Sequence, residues 1–157
     1  MSADLLKWLH VLAAVLLVGG GFGSAFHLLI ASARRRPDEA AAAVHSILRF
    51  DALVGAPMFV LLAVGGFALL GHTQASWTSD WVALALLLYA AVLMIWMPVI
   101  ACELRMRRLA RDACTAGQIL PMQYWRMLIV WSALGAFGFA LFAGIFWLML
   151  TKRVPFS

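Results

Sequence analysis

The four histidines are the residues of this sequence best suited to bind a metal ion or a cofactor. Imidazole is the usual axial ligand of haem iron and a common copper ligand. His10 and His72 fall towards one end of the apolar segments that contain or border them, and His27 and His45 fall towards the other end. His10 and His27 are 17 residues apart in one segment, or about 25 Å along a helix, so they cannot ligate one metal ion. The histidines therefore predict two separate layers.

The layer of His10 and His72 is the stronger candidate site. His10 would ligate haem iron or copper, His72 would be its partner ligand, and Lys7, one turn earlier on the same helix face, would bind a haem propionate. Each residue also has a structural interpretation: His10 could bond a backbone carbonyl, His72 could be a solvated loop residue, and Lys7 could extend to the headgroups. The second layer is weaker, because His27 could lie at headgroup level and His45 on the surface. The sequence leaves haem b, copper and no cofactor as alternatives.

Asp51 is the acidic residue with the most informative position. It lies near one end of the second apolar segment, between Arg49 and Pro57. The favoured interpretation is an ion pair with Arg49 or with the basic third loop, and the alternative is a proton-handling carboxylate. Glu103 and Arg107 are four residues apart and predict a second, structural ion pair.

The composition excludes a soluble enzyme, a disordered tail and a nucleic-acid-binding module. Apolar residues make up 65% of the 157 residues and charged residues 12%, and the mean hydropathy is +0.95. Soluble domains are about 45–50% apolar and about 25% charged. Cys102 and Cys114 show no CxxC or zinc-binding spacing, so no disulfide framework is expected. These features indicate an integral membrane protein in a lipid bilayer, with no nucleic-acid partner.

The elements that must position these residues are four apolar segments. Each is long enough to span a bilayer, which requires about 20 residues, and none alternates as a barrel strand would. The predicted fold class is all-α: a polytopic membrane protein forming one four-transmembrane-helix domain over residues 1–157. We predict helices at about 5–33, 40–70, 81–104 and 124–151, with Pro37 well placed to open the second. A polar turn is expected at Gly71–Ser76, and a basic connection at 103–126.

Basic residues predict the orientation of the bundle. The first loop contains four Lys or Arg residues, the third loop five and the middle loop none. The positive-inside rule therefore places the first and third loops in the cytoplasm and both termini on the outer, periplasmic side. Lys152 and Arg153 oppose this assignment weakly. The composition is typical of a multi-pass protein of a bacterial inner membrane.

Small residues recur at every fourth position in two of the segments. Gly19 and Gly23 show this spacing, as do Ala136, Ala140 and Gly144. Because small residues at this spacing let membrane helices approach closely, the pattern predicts a compact bundle.

Several short motifs, in order along nearly the whole chain, resemble a family of bacterial integral membrane proteins of unknown function. They are Leu6-Lys7-Trp8-Leu9-His10, Arg49-Phe50-Asp51 with Gly55-Ala56-Pro57, Ile95-Trp96-Met97-Pro98-Val99, and Phe146-Trp147-Leu148-Met149. The resemblance implies a multi-helix membrane protein and assigns no activity.

Lys7 and His10, followed by Gly20, are also similar to the first helix of the HemJ-type protoporphyrinogen oxidases. The chain is distantly similar to the CopD-like copper-resistance membrane proteins as well. The first resemblance implies that His10 contacts haem b and that the reaction removes electrons from a porphyrinogen.

The resulting functional expectation is redox chemistry: electron transfer with a quinone, or oxidation of a porphyrin-like substrate. Two alternatives remain open. The first is a copper-handling protein, because the chain has eight methionines and thioether sulfur suits Cu(I). The second is a cofactor-free accessory subunit that assembles with itself or with a larger membrane complex.

Overall fold

Helices make up most of the protein, which confirms the all-α fold class. The computed structural model describes residues 2–72 and 79–152. Within them, four continuous helices are long and apolar enough to cross a membrane. Their elements are α1 at Ala3–Ala33, α2 at Pro37–Phe50, one π-helical turn at Asp51–Gly55, α3 at Ala56–His72, α4 at Asp80–Thr115 and α5 at Met122–Thr151. Helix α2, the π turn and α3 form one uninterrupted helix.

The second helix begins at Pro37, three residues before the predicted start. Proline is favoured at the first helical position, and the carboxylates of Asp38 and Glu39 in the first turn suit the positive end of the helix dipole. Arg35, with φ at 57°, makes the tight turn from α1. Helix α3 includes Gly71 and His72, which were predicted to belong to the polar turn; the rest of that predicted turn, from residue 73, lies outside the described residues.

Helix α4 continues to Thr115, beyond its predicted end near residue 104. Gly117, with φ at 63°, ends it in a Schellman motif: Gln118 N–H donates to the Ala113 carbonyl at 2.9 Å and Gly117 N–H to the Cys114 carbonyl at 3.2 Å. The arginine-rich stretch predicted as a connection is therefore mostly helix, because Arg, Leu, Met and Ala are all good helix formers.

All four continuous helices are longer than a bilayer needs, and the excess is largest in two of them. Pro37–His72 and Asp80–Thr115 each contain 36 residues, or about 54 Å of helix against roughly 30 Å of hydrocarbon. Their excess lies at the basic end of the bundle, which we define as the end with the α1–α2 and α4–α5 turns. A buried cluster at this end includes Ala40, Val44, Ile47, Met106, Ala110 and Tyr124. A second cluster, toward the opposite end, includes Ala13, Leu17, Phe59, Leu62, Val92 and Ile145.

The outward surface of the bundle is apolar. Phe26 is 68% exposed, Leu53 68% and Met94 74%. Exposure of many large apolar side chains would be costly in water, whereas lipid acyl chains solvate them. The surface therefore agrees with a protein embedded in a bilayer.

One glycine on α1 allows a close helix contact, and it is not one of the predicted pair. The Phe50 ring occupies the space that a Cβ atom at Gly20 would need. A Cβ atom at Gly19 or Gly23 would meet nothing within 4 Å, so no close helix contact occurs at these two residues within the described structure. Gly20 is the glycine that faces α2, and spacing alone could not distinguish it from its neighbours.

Hydrogen bonds between helices fix the bundle laterally. Ser32 Oγ of α1 and the Tyr124 hydroxyl of α5 are 2.7 Å apart, and both residues are fully buried. The Tyr89 hydroxyl of α4 donates to the Phe59 carbonyl of α3 at 2.7 Å.

Candidate functional site

Two acidic side chains from different helices meet inside the bundle. Asp51 belongs to the π turn and Glu103 to α4. The Asp51 carboxyl interacts with the Glu103 carboxyl and with the Trp96 side chain. Asp51 is partly buried, and Glu103 is 1% exposed. Because ionisable groups are expensive in such surroundings, this carboxyl pair is the leading candidate site.

The two oxygens of Glu103 have different surroundings. Oε1 accepts a 2.8 Å hydrogen bond from the indole N–H of Trp131 on α5. Oε2 is buried, and no N–H or hydroxyl donor among the described residues reaches it. A carboxylate can hydrogen-bond another carboxyl only through a proton held by one of them. The contact with Asp51 therefore satisfies Oε2 only when the pair shares a proton.

The ion pairs predicted for these two acids are absent from the described structure. Among residues 2–72 and 79–152, no Lys or Arg nitrogen lies within 4.0 Å of either carboxylate. Arg49 precedes Asp51 by two residues, a spacing that places side chains on different faces of a helix, and it is exposed. Glu103 contacts Trp131 and Asp51 instead of Arg107, whose buried Nε has no hydrogen-bond partner among the described residues.

The π turn explains how Asp51 reaches this position. The Asp51 carbonyl accepts from the N–H of Ala56, five residues later, because Pro57 has no N–H for the usual bond to Leu53. Single π turns inside α-helices occur frequently at functional sites. The Asp51 carboxyl packs over Gly55, since a Cβ atom there would lie 3.4 Å from Asp51 Oδ1, in ordinary contact.

His10 lies between α1 and α3 against two glycines. A Cβ atom at Gly65 would be 3.2 Å from His10 Nδ1, and one at Gly66 would be 3.5 Å from Cε1. The Leu62 backbone is also beside the ring, but the buried Nδ1 makes no hydrogen bond of good geometry within the described residues. His10 is thus a partly buried imidazole whose Nδ1 lies beside the Leu62 backbone without a well-formed hydrogen bond to a described residue.

The two residues predicted to act with His10 lie on the surface. His72 is exposed at the last position of α3, seven residues beyond Gly65, or about 10 Å along the helix from the level of His10. The Lys7 side chain is 58% exposed and its Nζ lies 3.9 Å from Asp4 Oδ1.

The predicted second layer also consists of surface residues. His27 on α1 and His45 on α2 are both exposed, so neither belongs to the buried part of the bundle. In the described parts of the chain, no three His, Cys, Asp or Glu side chains form a group that could hold a metal ion.

Sequence reasoning missed Glu103 and its partner Trp131 as site residues. The available signal was topological: α2 leaves the basic end of the bundle and α4 returns to it, so Asp51 and Glu103 lie at similar depth. Trp96 and Glu103 are seven residues apart and share a face of α4. Nothing in the sequence marked Trp131 as the donor.

Comparison with known proteins identifies a family for this chain. Residues 4–153 match the family model described as "Predicted integral membrane protein (DUF2269)". No curated protein and no solved structure matches the chain.

Proposed function

The chain belongs to the DUF2269 family of predicted integral membrane proteins, and we propose that within the bilayer it handles protons through the Asp51–Glu103 pair. The observation that supports this proposal is the contact between two carboxyls with no described basic residue beside them. Two negative charges side by side repel strongly in an apolar medium. A single shared proton removes one charge and supplies the hydrogen bond that Glu103 Oε2 otherwise lacks.

Release of that proton would leave two adjacent carboxylates, and uptake of a second would leave two neutral acids. The pair therefore has three charge states, and coupled carboxyls titrate as a unit rather than as independent groups. Trp131 holds one oxygen of Glu103 throughout, since its N–H is only a donor. The Trp96 side chain adjoins Asp51. These contacts keep the carboxyls in place while the proton number changes.

Infrared difference spectroscopy of the protein in lipid membranes tests the proposal. We expect a carboxylic-acid C=O band at neutral pH that shifts in deuterated buffer and changes with buffer pH, has an altered frequency or pH dependence in Asp51→Asn and in Glu103→Gln, and disappears when the two substitutions are combined. Asp4→Asn, at an exposed acid, is the matched control and should leave the band unchanged. A missing band at neutral pH, or a band insensitive to buffer pH, would contradict proton handling by this pair.

We further propose haem b binding at His10 as a second candidate function, supported by its buried Nδ1, which makes no well-formed hydrogen bond among the described residues, and by the resemblance to HemJ-type oxidases. A bound haem would supply one-electron redox chemistry. His10 would hold the iron as its one protein ligand from this layer, because His72 and Lys7 lie on the surface, and a quinone or a porphyrin-like molecule would be the redox partner. Copper at His10, or a cofactor-free subunit of a larger complex, are the alternatives.

The optical spectrum of the purified protein, oxidised and then dithionite-reduced, distinguishes these alternatives. A Soret band with reduced α and β bands that is lost in His10→Ala, and retained in the exposed control variant His45→Ala, supports haem. Copper that co-purifies with the wild type and is lost in His10→Ala supports the copper alternative. A spectrum without a Soret band after growth with ample haem would contradict haem binding without affecting the carboxyl proposal.

A further inference from the structure

A pocket at the basic end of the bundle is separate from the carboxyl pair and from His10. Its volume is about 470 Å³, within the range of roughly 300–1,000 Å³ that is typical of small-molecule sites. It lies between α4 and α5, and its lining residues are Arg105, Arg108, Leu109, Gln123, Arg126 and Met127. On each helix they occupy positions i, i+3 and i+4, so each helix contributes one continuous face.

The positive charge of the pocket is not neutralised by any described acidic residue. Among the described residues, no carboxylate oxygen lies within 4.0 Å of a nitrogen of Arg105, Arg108 or Arg126. Three guanidinium groups around one pocket repel one another, and a bound anion would relieve this repulsion. Arginine donors fit phosphate oxygens in a bidentate geometry that lysine cannot reproduce.

The apolar residues and the depth of the pocket indicate which kind of molecule carries the phosphate group. Leu109 and Met127 line the same pocket and offer contacts to hydrocarbon rather than to water. The arginines of α4 follow its apolar stretch by one to two turns, and Arg126 precedes the apolar stretch of α5. This is the depth at which phospholipid headgroups lie, and basic pockets between transmembrane helices bind anionic headgroups.

We infer that this pocket binds a phosphate-bearing anion, supplied by the headgroup of an anionic phospholipid. The arginines bind the phosphate, Gln123 is placed to bond the polar headgroup, and Leu109 and Met127 contact the glycerol and upper acyl chain. Inorganic phosphate has the same anionic chemistry without the apolar part.

Native mass spectrometry of the full chain in detergent tests this inference with phosphatidylglycerol and phosphatidylcholine of identical acyl chains. We expect wild type to bind phosphatidylglycerol in preference to phosphatidylcholine. Arg108→Gln with Arg126→Gln should weaken phosphatidylglycerol binding by about fivefold for each arginine removed. The matched control, Arg35→Gln with Arg111→Gln, removes two exposed charges from the same end of the bundle and should retain the wild-type affinity.

Three results would overturn the inference: equal binding of the two lipids, an equal loss in the control variant, or unchanged binding in the pocket variant. Circular dichroism and the elution profile show whether the double variant folds. If it does not fold, Arg105→Gln alone should weaken phosphatidylglycerol binding about fivefold, and unchanged binding in that variant would count against the pocket. Inorganic phosphate is the second probe. If inorganic phosphate displaces phosphatidylglycerol from the wild type but not from the pocket variant, the result would support binding of a phosphate group at the pocket. It would also assign the soluble ion as a second source of that group.

Discussion

Trp131 and Glu103 are joined across α5 and α4 by a 2.8 Å hydrogen bond from the indole N–H to Oε1. Both residues are buried, at 7% and 1% exposed, so water cannot replace the indole as donor. The bond fixes one oxygen of Glu103 and leaves Oε2 as the oxygen available to Asp51. The geometry of the carboxyl pair therefore depends on a side chain from a third helix.

Trp131→Phe should destabilise the protein, because it retains a ring but leaves Oε1 of a buried acid without its donor. The expected loss is about 1–3 kcal/mol in the free energy of unfolding, measured by unfolding in detergent. Trp147→Phe, at a tryptophan that is 58% exposed, is the control and should change little. Equal stability of the two variants would show that the hydrogen bond contributes nothing.

Gly20→Ala should be destabilising because the new methyl group would occupy the space of the Phe50 ring. Overpacking of this kind costs about 1–3 kcal/mol, and the better helix propensity of alanine offsets up to about 1 kcal/mol. Gly19→Ala introduces the same residue where nothing lies within 4 Å, so it should be neutral or stabilising. Thermal unfolding of the two variants in one detergent gives the comparison, and the reverse order of stability would refute the packing.

Ser32 and Tyr124 should show energetic coupling in a double-mutant cycle. Their oxygens are 2.7 Å apart and buried, so Ser32→Ala or Tyr124→Phe alone leaves one hydroxyl without its partner and should cost about 1–3 kcal/mol. The double variant should cost less than the sum, with a coupling energy of about 0.5–3 kcal/mol. Ser46→Ala serves as a control, because that exposed hydroxyl bonds only the Ala42 carbonyl of its own helix. Additive single effects would contradict a direct α1–α5 bond.

Cys114 provides a native probe of the predicted orientation. It is exposed near the end of α4, whereas Cys102 is buried. If the basic end faces the cytoplasm, a membrane-impermeant maleimide should label the protein only after bacterial cells are permeabilised. Cys114→Ser should remove this signal. Labelling of intact spheroplasts would reverse the orientation and place both termini inside.

The helices could be predicted from the sequence because membrane spans depend on local properties. Long apolar runs have no stable alternative to helix in lipid, and Pro37 marked a helix start by its own backbone chemistry. The end of α4 was missed because charged residues were taken to indicate a loop, although arginine is a good helix former. Gly117 was the local signal that marked the true end.

The carboxyl pair could be predicted only in part. Asp51 was identified because a lone acid near an apolar segment is unusual, but its expected partner, Arg49, was a neighbour in sequence. The actual partner, Glu103, is distant in the chain, and the π turn determines which side of the helix carries Asp51. Long-range side-chain pairing depends on helix rotation, and no pattern within one segment specifies that rotation.

The π turn at Asp51–Gly55 makes the chain unusually sensitive to its length at this point. A π turn contains one residue more than an α turn would, and each residue of an α-helix rotates the chain by about 100°. Loss of one residue between Asp51 and Gly55 would restore a regular helix and narrow the turn beside Asp51, while Phe59 and Leu62 kept their place in the opposite core. Such a deletion would change neither the hydrophobicity nor the charge pattern of the segment, yet it would alter the backbone that carries the Asp51 carboxyl. In related chains, the number of residues between this aspartate and the proline after it is thus a better indicator of the same chemistry than the identity of the apolar residues between them.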